Sequence, residues 1–169
     1  MTESLRNTIA QVLPAAIELR RDLHRHPEIR FEERYTSDRI AAFLDGIGVE
    51  YTRGYAGGTG IVARLGNAKK PCVLLRADID ALEIEEDTGL SYASERTGYA
   101  HACGHDGHMA CLCGAAAVLA RHQDALPGEV RLVFQPGEEQ AGGGRLMVEE
   151  GAVDGADAAF ALHAWPGYP

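Results

Sequence analysis

Residues 71–79, PCVLLRADI, are the segment that most restricts the fold, because they run almost continuously apolar and end at a pair of aspartates, Asp78 and Asp80. Such a run belongs to a strand covered on both faces, which places it centrally in an α/β sheet. GIVARLG (60–66) alternates around Ile61, Ala63 and Leu65 and predicts a second strand. EVRLVFQ (129–135) predicts another, and ADAAFALHA (156–164) one more buried strand. Between them, residues 105–122 return to helical spacing, with Met109, Leu112, Cys113, Ala116, Leu119 and Ala120 on one stripe. A short helix ending near Gly151 follows the 129–135 strand.

The first helix is expected over residues 3–26, with Leu13, Ala16, Ile17, Arg20 and Leu23 along one side, Pro14 kinking or restarting it and Pro27 ending it. The second begins with Ser37 as N-cap and stops at Gly46 or Gly48. Strands and helices alternate from residue 71 onward, which predicts a three-layer α/β/α domain with a largely parallel central sheet. There is no repeat or low-complexity linker. The last residues, HAWPGYP, follow directly on a strand where a folded domain would continue, so the domain is expected to be incomplete at its C-terminal end.

The chain has 169 residues, enough for one domain that buries about two-thirds of its unfolded surface. Sixteen basic against twenty-five acidic residues give a net charge of −9, and the basic residues are scattered. That argues against nucleic acid and anionic membranes as partners. The N-terminus lacks the pattern of a secretory signal, and no segment has the run of apolar residues a membrane span needs. Three of the four cysteines, Cys103, Cys111 and Cys113, crowd together while Cys72 lies apart, which is not a disulfide framework. Reduced thiols and a cytoplasmic location are expected.

Potential metal ligands concentrate where predicted strands hand over to loops, the usual ligand-binding edge of an open α/β sheet. Asp78 and Asp80, two apart on an extended chain, point to the same side. HACGHDGH gathers His101, Cys103, His105, Asp106 and His108 just ahead of a helix, and a thiolate with imidazole and carboxylate favours a transition metal. Glu138 and Glu139 follow the 129–135 strand and can divide metal binding from general-base work. His163 lies at the end of the last strand. Singly, each has a bland reading: a strand-end aspartate forms turns, paired glutamates face solvent, and a lone histidine sits in the core. Their convergence at one sheet edge is what carries the argument, since buried charges without a metal or partner are costly. Cys111 and Cys113 cannot share a helix face, and Cys72 is expected to pack.

The segments LRRDLHRHPEIRFEE, RADIDALEI, HACGHDGHMA, GEEQAGGG and LHAWPG together resemble the metallopeptidase-like family of hippurate hydrolases, N-acyl-amino-acid amidohydrolases and auxin-conjugate hydrolases, related to aminoacylases and to zinc carboxypeptidases of the co-catalytic type. The resemblance runs in order along nearly the whole chain. It implies that Cys103, His105, Glu139 and His163 are ligands of two divalent transition-metal ions (manganese or zinc ahead of cobalt or nickel), that Glu138 is the general base, and that Asp80 orients a ligand. It also implies a small-molecule N-acyl amino acid as substrate, and a homo-oligomer for the full-length form. In the family a lid and dimerisation domain is inserted after the strand ending near His163, and a final catalytic section supplies a fifth ligand; both are expected to be absent here. His108 shares a helix face with His105 and either supports the ligands or is structural. Competing expectations are an inactive metal-binding fragment, an N-acetyl-diaminopimelate-type deacetylase of the same chemistry, and a thiol peptidase using Cys103, which the flanking carboxylates disfavour.

Overall fold

The computed structural model describes residues 2–140, 142–165 and 167. Ala141 of the predicted glycine-rich turn and Pro166 of the closing LHAWPG segment lie outside the described residues. Five strands form one sheet: β1 (Tyr51–Tyr55), β2 (Gly60–Leu65), β3 (Cys72–Asp78), β4 (Glu129–Gln135) and β5 (Ala158–Ala161). Their spatial order is β1-β2-β4-β3-β5. β3 pairs in parallel with both β4 and β5, whereas β2 runs antiparallel to β1 and β4. The sheet is therefore mixed, parallel in one half and antiparallel in the other.

Helices α1 (Glu3–Arg25), α2 (Arg34–Gly46) and α3 (His105–Ala120) cover one face, and α4 (Gly143–Glu149) covers the other. Strand alternation feeds both layers: Ile61, Ala63, Leu132 and Phe134 point into the core beneath α1–α3, while Val62, Val133 and Leu74 meet Met147 and Ala152 on the α4 side. This is the three-layer arrangement expected from the alternation of elements. Among the described residues no helix is long and apolar enough to cross a membrane.

Local differences have physical causes. Pro14 sits inside a continuous α1. Ala10, whose carbonyl loses its partner there, and Pro14 itself are both exposed, so that carbonyl is left open to solvent and not buried unpaired. The buried face of α1 is Val12, Ala16, Leu19 and Leu23, rotated from the expected stripe, and Leu13 and Ile17 remain exposed beside α3. Ser37 is not the cap of α2. The helix starts a turn earlier, and the Glu28 carboxylate accepts the Tyr35 and Thr36 N–H groups at 3.2 and 2.9 Å, so its cap comes from outside the helix. β1 was not anticipated from its mixed YTRGY sequence. β5 is shorter than expected and largely exposed, with Phe160 at 61% of its surface accessible, because it is an edge strand.

Replacing Glu28 with Ala is expected to cost about 1 to 2 kcal/mol of stability by orphaning the first-turn N–H groups of α2. Glu28→Gln, which keeps an acceptor, should cost less. Urea unfolding followed by circular dichroism measures both, and equal losses would contradict the capping role.

Candidate metal centre

Parallel pairing brings three strand ends to one edge. Asp78 at the end of β3 stands opposite Gln135 at the end of β4, and Ala161 of β5 stands opposite Arg76. Continuing each strand by a few residues delivers Asp80, Glu138–Glu139 and His163 to the same place. The N-terminus of α3 enters this edge from Gly104, whose φ of 85° is a left-handed conformation suited to glycine.

His105 is fully buried. Its Nδ1 lies 2.8 Å from the Asp80 carbonyl oxygen, to which it donates. That contact leaves Nε2 as the lone-pair nitrogen, and Nε2 stands 3.7 Å from Glu139 Oε1 and 3.9 Å from Glu138 Oε2. Neither His105 Nε2 nor Glu139 Oε1 has a hydrogen-bond partner among the described residues although both are buried. Cys103 Sγ joins them, the three ligand atoms lying within 4.8 Å of one another. His163 Nε2 is 3.5 Å from Cys103 Sγ, while its Nδ1 turns to the Ala164 carbonyl at 2.6 Å. Asp80 stands behind the group: its Oδ2 accepts the Glu139 N–H at 3.0 Å. Burial alone would raise the Asp80 pKa, but the His105 contact and the N–H groups of Glu139 and Glu138 hold it below the usual carboxylate range.

Asp78, His105, His108 and His163 also lie close enough to share an ion. Asp78 and His108 are already engaged, however. Asp78 accepts from His108 Nδ1 at 2.6 Å and from Arg76 Nη1 at 2.7 Å, and His108 Nε2 accepts the Ala164 N–H at 2.8 Å. At this edge the buried atoms without a partner among the described residues are His105 Nε2, Glu139 Oε1 and Asp80 Oδ1, with Cys103 Sγ beside the first two. His108 thus holds the main chain beside His163, which the helix-face argument had left open. Arg76 went unnoticed in the sequence; its signal was a lone charge inside an apolar strand.

Asp106 does not face the centre. It turns back to α1, where its Oδ2 accepts from His24 Nδ1 at 2.8 Å and from Arg20 Nε at 2.9 Å. His101 is buried with no hydrogen bond to either ring nitrogen among the described residues, and burial lowers its pKa to about 4.

Residues 74–169 match the model of peptidase family M20/M25/M40. The chain belongs to this family. It is 40% identical over its whole length to thermostable carboxypeptidase 1 of Saccharolobus solfataricus, covering 44% of that protein. It is 48% identical over 89% of its length to N-acetyl-L-cysteine deacetylase of Bacillus subtilis, covering 36% of that enzyme. Among solved structures, a Bacillus subtilis dinuclear metal-binding peptidase of the M20 family superposes with a TM-score of 0.87 at 39% identity, over 97% of this chain and 45% of the other. The M20 chain described here thus spans less than half the length of these relatives.

The donor set suits a metal ion: an imidazole nitrogen and a carboxylate oxygen without partners among the described residues, with a thiol sulfur, are donors that borderline-soft divalent ions take. Burial, then Glu139 and the charges of Asp78 and Glu138, push the Cys103 thiol up to about 12. A nucleophilic cysteine needs the opposite surroundings, which argues against the thiol-peptidase expectation.

In the metal-free chain at about pH 8, a pKa of about 12 leaves a thiolate fraction on the order of 10⁻⁴ at Cys103. Iodoacetamide should therefore alkylate the exposed Cys111 far faster, and the reactivity of Cys103 should climb with pH towards that value. Peptide mass spectrometry reads both sites, and equal rates at about pH 8 would contradict the electrostatics.

Proposed function

We propose that these residues form the centre of a hydrolase that cleaves the amide bond of N-acyl or N-aroyl amino acids with two divalent transition-metal ions, manganese or zinc by preference. Cys103, His105, Glu139 and His163 would hold the ions, Glu138 would act as general base, and Asp80 would orient His105 and Glu139. The observation that carries this reading is the convergence of His105 Nε2 and Glu139 Oε1, both buried and unsatisfied, with Cys103 Sγ. Beside them stands Glu138, about a third exposed and 3.9 Å from His105 Nε2.

When bound, the ions supply Lewis acidity towards the acyl carbonyl and acidify water. The protein's own groups do the rest. The Asp80 carbonyl fixes the His105 tautomer, and the Asp80 carboxylate fixes the main chain of Glu139. The Glu138 carboxylate takes a proton from the attacking water as the new C–O bond forms. It returns that proton to the nitrogen as the C–N bond breaks, so that a carboxylate and a free amino acid leave. The N-acetylated substrate of the deacetylase relative supports the substrate class. An N-acetyl-diaminopimelate-type substrate would use the same steps. We place the protein in the cytoplasm and its full-length form in a homo-oligomer.

Elemental mass spectrometry of the purified chain should find about two transition-metal ions after incubation with manganese or zinc. Hydrolysis of hippurate and N-acetylcysteine should be abolished by chelation and restored by metal. Glu138→Gln should keep the metal and lower turnover by about 10² to 10⁴. A chain that takes up no metal sinks the proposal; one that takes up metal but hydrolyses no N-acyl amino acid is a metal-binding module instead.

A further inference from the structure

The loop joining α1 to α2, with the sequence HPEIRFEE, has no ligand in it, yet its last residue reaches the centre. Glu33 has no exposed surface and no paired cation among the described residues. Its Oε1 accepts the Gly137 N–H at 3.0 Å, and its Oε2 accepts the Thr59 hydroxyl at 2.8 Å. Burial raises the Glu33 pKa, and the donors around the carboxyl, the Thr59 hydroxyl and the Gly137 N–H among them, work against that rise. Phe31 adopts a φ of 62°, rare for a residue with a side chain, and that strained turn stands two residues before the carboxylate. A buried, unpaired carboxylate is costly, and a residue serving only to fill space would not carry one.

What the carboxylate grips is the start of the turn that presents Glu138 and Glu139. That turn is clamped elsewhere too. Gly143 N–H donates to the Gly137 carbonyl at 3.0 Å, and a Cβ at Gly143 would fall 1.7 Å from the Pro136 oxygen. A Cβ at Gly60 would come within 3.2 Å of Pro136 Cδ. Asp80 holds the other end of the turn at the Glu139 N–H. Without Glu33, the Gly137 N–H is buried with no acceptor in place, and the start of the turn keeps only the Gly143 contact to the Gly137 carbonyl.

We propose that Glu33 is a positioning residue: by fixing the Gly137 N–H it sets the direction in which Glu138 and Glu139 leave the end of β4. This rests on the reading of Glu139 as a metal ligand. Glutamine at this position keeps one acceptor but turns an NH₂ group towards the second donor, so Glu33→Gln loosens the turn while preserving volume.

The test is cobalt(II) titration of the chelator-stripped chain, followed by the thiolate-to-metal absorption that Cys103 gives on ligation. Wild type should saturate, and Glu33→Gln should bind cobalt about 10-fold or more weakly, the usual loss when a group supporting a ligand is removed. Leu23→Ala, on the buried face of α1 and making none of the hydrogen bonds that hold the turn, is the control for lost stability alone and should bind as wild type does. If Glu33→Gln does not fold, Thr59→Val, which removes one donor and leaves the Gly137 contact, should show a smaller loss in the same direction. Wild-type affinity in the folded Glu33 or Thr59 variants, or an equal loss in Leu23→Ala, overturns the inference alone. A wild type that takes up no cobalt overturns the metal centre, and the inference with it.

Discussion

One buried carboxylate joins the two segments on which the centre depends. Asp80 lies two residues beyond β3 with 1% of its surface exposed. Its carbonyl fixes the His105 ring, and its Oδ2 fixes the Glu139 main chain 59 residues further along. The first contact decides which imidazole nitrogen is free, and the second decides where an orphaned carboxylate oxygen points. Those same contacts keep Asp80 ionised against the effect of burial, so position and charge are maintained together.

The parallel half of the sheet is what makes such a contact possible. In β4, β3 and β5 the chain runs one way, so each strand releases its following loop at the same edge. The antiparallel strands β1 and β2 send none of the ligand-bearing loops there; β2 supplies core residues to both layers. At this edge, hydrogen bonding separates groups with uncommitted donor atoms from groups already engaged. Asp78 Oδ2 lies 3.6 Å from His105 Nε2, but both Asp78 oxygens already accept, from Arg76 and His108, whereas His105 Nε2 and Glu139 Oε1 have no partner among the described residues. Counting acidic and imidazole groups would have included it; following their hydrogen bonds excludes it.

The same distinction explains what could be read from the sequence. β4 and α3 fall close to their expected limits because apolar period and flanking turn residues specify them locally. Cys103, His105, Glu138, Glu139 and His163 were legible because each follows a strand end or opens a helix, and the structure brings them together. The remaining features depend on partners distant in the chain. The cap of α2 is Glu28 and not the nearby Ser37, the face of α1 is set by where α3 lies, and β1 pairs through its backbone despite polar side chains. Asp106 looked like a ligand by its neighbours, but an arginine and a histidine on α1 claim it.

The loop at 26–33 shows how far a motif can matter without doing chemistry. Its Glu28 carbonyl accepts the Ala81 N–H at 2.7 Å, immediately after Asp80, and its Glu28 carboxylate caps α2. Its Glu33 carboxylate holds the turn before Glu138. One ligand-free segment is thus bonded to the extensions of both β3 and β4, the two strands whose ends must stay in fixed relation if His105 and Glu139 are to share an ion. Metal ligands tolerate little displacement, and main-chain groups held by buried carboxylates move less than side chains on an open loop. Two buried carboxyl groups are an expensive way to build a loop between helices; they are an effective way to keep two strand ends in register.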